Sequence, residues 1–204
     1  FKTAFPGTIT RYNLEPDMAT WGKGIANGFS FCALTGKKEV MELGGIRNKG
    51  AEKVFLISTT HGGETHALAA ALKTIAVFQQ EDVVAKNHNK GKLLIDLCAR
   101  LVTQNGLDEV IQITPCPWMV AFTFRDASKA ISPEFRTLFM QEMIARGVLF
   151  QGIFVPCLSH TEDDLYYFAR AFGESLAVYR AALNEGYDNY LYGEAVKNVF
   201  RKYL

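Results

Sequence analysis

Asp17-Met18-Ala19-Thr20-Trp21-Gly22-Lys23-Gly24-Ile25-Ala26-Asn27-Gly28 sets one lysine between two glycines and surrounds it with small or apolar residues. Glycine removes Cβ bulk, so the backbone there bends tightly and a large group can lie against it. An apolar setting disfavours the ammonium form of a lysine by desolvation and makes a neutral, nucleophilic amine accessible. Schiff-base chemistry needs such an amine. On spacing alone, a surface lysine in a glycine-rich turn is the commoner meaning of so short a motif. The residues around it have to decide.

Downstream, Val54-Phe55-Leu56-Ile57 is a continuous apolar run, the pattern of a strand buried on both faces. Ser58-Thr59-Thr60-His61-Gly62-Gly63-Glu64-Thr65 follows, and then an Ala-rich helical stretch over 66–80 with Leu68, Leu72, Ile75 and Gln79 at helical spacing. The order is buried strand, hydroxyl- and glycine-rich loop, helix N-terminus. The first backbone N–H groups of a helix lack internal partners and favour an anion, and threonine hydroxyls add donors. The loop therefore reads as a phosphate cradle, or as an N-cap and turn. It is not a Walker loop, because no Gly-Lys-Ser/Thr follows the glycines.

The bulk numbers exclude several classes. With 204 residues, 49% hydrophobic, the chain can bury a substantial core. A net charge of +1 supplies no basic field for nucleic acid. Apolar runs stop well short of the roughly 20 residues that a membrane span needs, and no stretch reads as a signal peptide. Cys32, Cys98, Cys116 and Cys157 are scattered with no CxxC pair, which points to reduced, mostly buried thiols in a cytosolic protein and away from a zinc site or other metal.

Upstream of the quoted lysine segment's core, Asp17 to Thr20 reads as a short strand running into the glycines. Phe29 to Leu34 reads as a strand ended by Gly36, and Lys38 to Leu43 as a short helix. A second long helix is expected over 82–104, with Asn105-Gly106 as its stop. The texture then changes to an α+β unit. Strands are expected at 110–114 and 118–124, the second with Trp118, Val120, Phe122 and Phe124 alternating with smaller residues. Ser132-Pro133 starts a helix that Gly147 ends. Strands are expected at 148–150 and 154–158, and Thr161 caps a last long helix whose stripe Leu165, Phe168, Phe172, Leu176, Tyr179, Leu183 is core. The tail is expected to be helical from about Tyr190. This divides the chain into 1–92 and 93–204.

Taken together, these segments resemble the class III pyridoxal-phosphate-dependent aminotransferases, with the glutamate-1-semialdehyde 2,1-aminomutase-like subgroup nearest. Glu15 through Gly28 is similar to that family's cofactor-lysine segment. Thr59-Thr60-His61-Gly62-Gly63-Glu64 is similar to its phosphate-binding threonine loop, and the run from Arg146 through Asp164 to its small domain. The resemblance covers nearly the whole chain up to about Leu183. It implies an α/β fold of type I: 1–92 as the later part of a mainly parallel, cofactor-binding large domain, and 93–204 as the α+β small domain with a helical tail. It implies pyridoxal 5'-phosphate as cofactor and Lys23 as both its Schiff-base partner and the catalytic proton carrier. Thr60 is implied as a phosphate contact made across a homodimer interface. Asp17 belongs to the framing turn and has no catalytic role, while His61 and Glu64 bear on substrate choice or cap the helix.

In the family an aspartate on the ring nitrogen, an aromatic residue stacked on the ring and a glycine-rich phosphate turn lie upstream of such a segment, and these 204 residues contain none of them. The expectation is therefore part of a longer enzyme moving an amino group between an amino acid or amine and a carbonyl acceptor. The alternatives are a non-catalytic fragment keeping only fold and dimer surface, or an unrelated phosphate-binding domain.

Overall fold

The computed structural model describes residues 1–45, 49–50, 52, 60–61 and 63–197. They fall into two compact units, Phe1–Val84 and Ala85–Leu204. The division lies near the start of the long helix in which the sequence-based boundary at 92/93 also falls.

In the first unit a short helix α1 (Thr8–Tyr12) precedes strand β1 (Met18–Trp21). A 3₁₀ turn, Lys23–Ile25, leads back to β2 (Ala33–Gly36), which pairs antiparallel with β1 from Met18↔Gly36 to Trp21↔Ala33. Pairing thus begins at Ala33 rather than at Phe29, because the intervening residues carry the chain back from the lysine turn. A helix α2 (Lys38–Met41) continues into a 3₁₀ turn, Glu42–Gly44. The expected strand at 54–57 lies outside the described residues, and among the described residues the pairing in this unit is antiparallel.

Helix α3 (Thr65–Glu81) follows, but its buried face is not the leucine face that the spacing suggested. Ala67 and Ala71, one turn apart, are buried, whereas Leu68 and Leu72 are 42% and 71% exposed. Small side chains allow close approach, and the Lys23–Ile25 turn packs against this helix. Asp82, in the left-handed region at φ 47°, separates α3 from α4 (Val83–Gln104), so the second helix starts one residue later than expected.

The second unit is built around a three-stranded antiparallel sheet in the order β3 (Ile111–Ile113), β4 (Val120–Phe124), β5 (Ile153–Phe154). Alternation along β4 buries Val120, Phe122 and Phe124. Helix α5 (Pro133–Ala145) starts as expected: Ser132 Oγ accepts from Phe135 N at 3.2 Å, and proline occupies the first turn. Helix α6 (Glu162–Glu185) opens on a capping box in which Thr161 and Asp164 satisfy each other's backbone N–H. The rings of Phe124 and Phe139 (4.7 Å), Phe139 and Phe172 (5.0 Å), and Phe135 and Tyr179 (5.0 Å) fill the space between sheet and helices. Gly91 lets α4 touch the Cys116-Pro117 loop, since a Cβ there would sit 1.8 Å from the Pro117 carbonyl oxygen. The helix accepts glycine's poor propensity for that contact.

Three expectations fail here. The strand expected at 154–158 is only Ile153–Phe154. Residues 148–150 are not a strand: Phe150 is buried, Leu149 is 87% exposed, and among the described residues no ladder partner faces them. The tail is not helical after Tyr190 in the described residues. A 3₁₀ turn, Tyr187–Asn189, ends α6, and the chain then runs back along α5. Gln141 Nε2 donates to Tyr190 O (3.0 Å), Tyr192 N to Gln141 Oε1 (2.9 Å) and Val196 N to Thr137 Oγ1 (2.9 Å). Side chains of α5 have taken the backbone groups that a helix would have paired.

Candidate active site

β1 ends on Trp21, and its last side chain fixes the approach to the lysine. Trp21 Nε1 donates to Thr35 Oγ1 at 2.8 Å across the hairpin. The far edge of its ring lies on the Gly7 backbone, where a Cβ would come within 2.5 Å of it. Phe1 stands 6.3 Å away by ring centroid and in turn meets Phe78 of α3 at 4.8 Å. Below this, Asp17 Oδ1 pairs with Lys37 Nζ at 2.7 Å and Lys37 N donates to Asp17 O at 2.9 Å. The hydrogen bond and charge of Lys37 hold the Asp17 carboxyl below its ordinary range. Asp17 is therefore a framing residue that ties the ends of the hairpin.

After Trp21, Gly22 is extended and Lys23 turns into the left-handed region at φ 53°. For a residue with a Cβ this conformation costs about 1–2 kcal/mol. Such outliers persist where the surroundings over-determine them, often at functional sites. Here Ile25 N bonds back to Gly22 O at 3.4 Å, and Ile25 and Ala26 are buried behind the turn. The Lys23 side chain itself is exposed and has no hydrogen bond or ion pair among the described residues. The apolar enclosure anticipated for it is therefore not supplied by those residues. A Cβ at Gly24 or Gly28 would meet nothing within 4 Å. The glycines leave a bare backbone surface beside the amine that the packing of the described residues does not require.

Thr60 is exposed and shares no hydrogen bond with Lys23 among the described residues. It precedes α3 by one short loop, of which Thr59 and Gly62 lie outside the described residues. Glu64 occupies the N-cap position without capping by its side chain; its carboxylate instead meets His61 Nδ1 at 3.0 Å. The Phe29 ring, just past the lysine turn, touches His66 in the first turn of α3 at 5.4 Å. Thus the lysine segment and the helix carrying the threonine loop form one packed substructure. No cluster of potential metal ligands occurs among the described residues.

Trp21, Thr35 and Gly7 were not singled out by sequence. A half-buried indole N–H needs an acceptor, and Thr35 on the partner strand was the residue to look for.

A fold with this lysine turn seated on the helix after a threonine loop defines a class, and the comparisons give it a family. The chain belongs to the class-III aminotransferases, whose family model (Aminotransferase class-III) matches residues 8–165. It is 30% identical to the 3-aminobutyryl-CoA aminotransferase of Cloacimonas acidaminovorans (strain Evry), covering 87% of this chain and 41% of that protein. It is 28% identical to the glutamate-1-semialdehyde 2,1-aminomutase of Thermus thermophilus, covering 86% and 42%. Among solved structures, the PLP internal aldimine form of the FumI protein of Sphingopyxis sp. MTA144 superimposes with a TM-score of 0.71 at 21% identity, over 87% of this chain and 40% of that one. The β-phenylalanine aminotransferase of Variovorax paradoxus gives 0.72 at 21%, over 88% and 43%. The fold is that of the type I pyridoxal-phosphate transferases. The chain spans about two fifths of the length of the curated relatives it matches.

Proposed function

We propose that these residues are the lysine-bearing portion of a pyridoxal-phosphate-dependent enzyme that moves an amino group between an amino acid or amine and a carbonyl acceptor, as an aminotransferase or an aminomutase. The carrying observation is Lys23: an exposed amine without a partner among the described residues, in a left-handed turn beside bare glycine backbone and seated on the helix that follows the Thr60 loop. The donor set suits both reactive ends of the cofactor. An amine can hold its aldehyde carbon covalently, and the Thr60 hydroxyl with the N-terminal N–H groups of α3 can bind its phosphate. Asp17, the acid nearest to Lys23 in sequence, is tied to Lys37 and is not offered to the ring nitrogen.

Pyridoxal phosphate, when bound, supplies an electron sink for the bonds of the substrate's amine-bearing carbon. Lys23 Nζ would hold the cofactor and, as a neutral amine, would carry the proton to and from that carbon. Thr60 serves the neighbouring subunit's site in a homodimer, and the exposed Leu68 and Leu72 of α3 suit a covered face. Residues 1–92 form the latter half of the cofactor domain and 93–204 the small domain. The exposed thiols of Cys32 and Cys157 suit the reducing cytoplasm.

The test is a titration of the full-length protein with pyridoxal phosphate. A visible absorbance band should form, vanish in Lys23→Ala and require a higher cofactor concentration in Thr60→Val. Absence of the band in the wild-type protein would favour a non-catalytic family member.

A further inference from the structure

We propose that Trp21 is a positioning residue that holds the Lys23 turn in place; the proposal rests on Lys23 being the cofactor lysine. The turn is gripped from both sides. Behind it, Ile25 and Ala26 are buried and the 3₁₀ turn packs on α3. Ahead of it, only Gly22 separates Lys23 from Trp21, and Gly22 has no side chain with which to anchor itself.

Upstream, the turn is fixed by the end of the ladder at Trp21↔Ala33 and by the indole. Besides Phe1, two contacts from different parts of the chain set the ring's position: the 2.8 Å hydrogen bond to Thr35 Oγ1 on β2, and the Gly7 backbone under its ring edge. The Gly7 contact is steric rather than conformational. Its φ of 179° is open to any residue, but a methyl group there would lie 2.5 Å from one ring carbon and 2.7 Å from the next. Ring and methyl cannot both keep their places.

A left-handed lysine between two glycines has few restraints of its own, since Gly24 has open space at its Cβ position. Loosening Trp21 lets the backbone at Lys23 relax toward the cheaper right-handed region and swings the amine away from where the cofactor is presented. Misplacement by about 1 Å at a reacting group can slow a reaction by roughly a hundredfold.

The experiment uses full-length protein and three variants, Gly7→Ala, Thr35→Val and Trp21→Phe, with two readouts. In cofactor-free protein, cleavage by a lysine-specific protease after Lys23 reports the order of the turn. In the presence of pyridoxal phosphate and borohydride, peptide mass spectrometry reports the rate of covalent capture at Lys23. Gly7→Ala should accelerate cleavage and slow capture, each by roughly tenfold, with Thr35→Val smaller in both. The double variant Gly7→Ala/Trp21→Phe, which trims the clashing ring edge, should recover capture toward the rate of Trp21→Phe alone. A merely structural role would lower thermal stability without that recovery.

Wild-type cleavage rates in all three variants would overturn the clamp, as would wild-type capture rates. If the wild-type protein captures no cofactor at Lys23, the functional reading fails. Cleavage then decides the clamp by itself.

Discussion

Among the described residues, the two units bury their apolar side chains in opposite ways. In the second, strands and helices close over an aromatic core in which Phe124, Phe139, Phe172 and Tyr179 are almost wholly buried. In the first, the buried apolar residues among those described are small or few: Ile25, Ala26, Ala67, Ala71 and Val83. Larger ones, including Met18, Phe29, Leu34 and Leu72, stand half exposed or more. Among the described residues, the aromatic core lies in one unit and the candidate lysine, with bare backbone around it, in the other. That division accords with the proposed site, which has to present groups rather than cover them.

The sharpest way to break this contrast is to damage each unit in turn. Phe139→Ala should destabilise the protein by about 3–5 kcal/mol in urea unfolding, because the ring is fully buried among four others. Leu72→Ala in the first unit should leave the same transition within about 0.5 kcal/mol. Comparable losses would erase the distinction.

A smaller effect is expected at Tyr179, whose hydroxyl donates to Arg125 O and accepts from Arg125 N at 3.1 Å. Burial pushes its phenol well above the ordinary range, so it stays a neutral donor at physiological pH. Tyr179→Phe keeps the ring but removes the donor to Arg125 O at the end of β4, while Arg125 N keeps its bond to Val110 O at 2.9 Å; the change should cost about 1–3 kcal/mol by thermal unfolding.

The smallest effect concerns pH. The backbone N–H and hydroxyl of Thr161 hold the Asp164 carboxyl below its ordinary range. A carboxylate lowered on folding stabilises the protein above its unfolded pKa of about 3.9, and that contribution is lost as pH falls through the folded value. Asp164→Asn should therefore flatten the acid side of the stability profile below about pH 4 and change little of its slope near neutrality. Unfolding midpoints across that range would show it.

Much of the second unit was legible because its signals are local. Ser132-Pro133 announces α5, Thr161 with Asp164 announces α6, and alternation identifies the buried face of β4. What could not be read depends on partners distant in sequence. Residues 148–150 look like a strand, yet Phe150 is consumed by the core without a neighbouring strand to pair with. The tail has helical composition, but Thr137 and Gln141 capture its backbone. The leucines of α3 suggest a core face, while contact with the lysine turn selects the alanines.

At the candidate site, Lys23 and Thr60 are proposed from motif and order, and the Asp17–Lys37 pair accords with a framing role for Asp17. The Trp21–Thr35–Gly7 arrangement was missed, because it joins three segments by contacts that no periodicity encodes. The apolar enclosure expected for Lys23 is not supplied by the described residues, since neighbours in sequence need not enclose one another in space.

The most direct measurement is borohydride reduction of the full-length protein with pyridoxal phosphate, followed by peptide mapping. Covalent label confined to the peptide carrying Lys23, and lost in Lys23→Ala, is the predicted result. Label spread over surface lysines, or undiminished in Lys23→Ala, would contradict it.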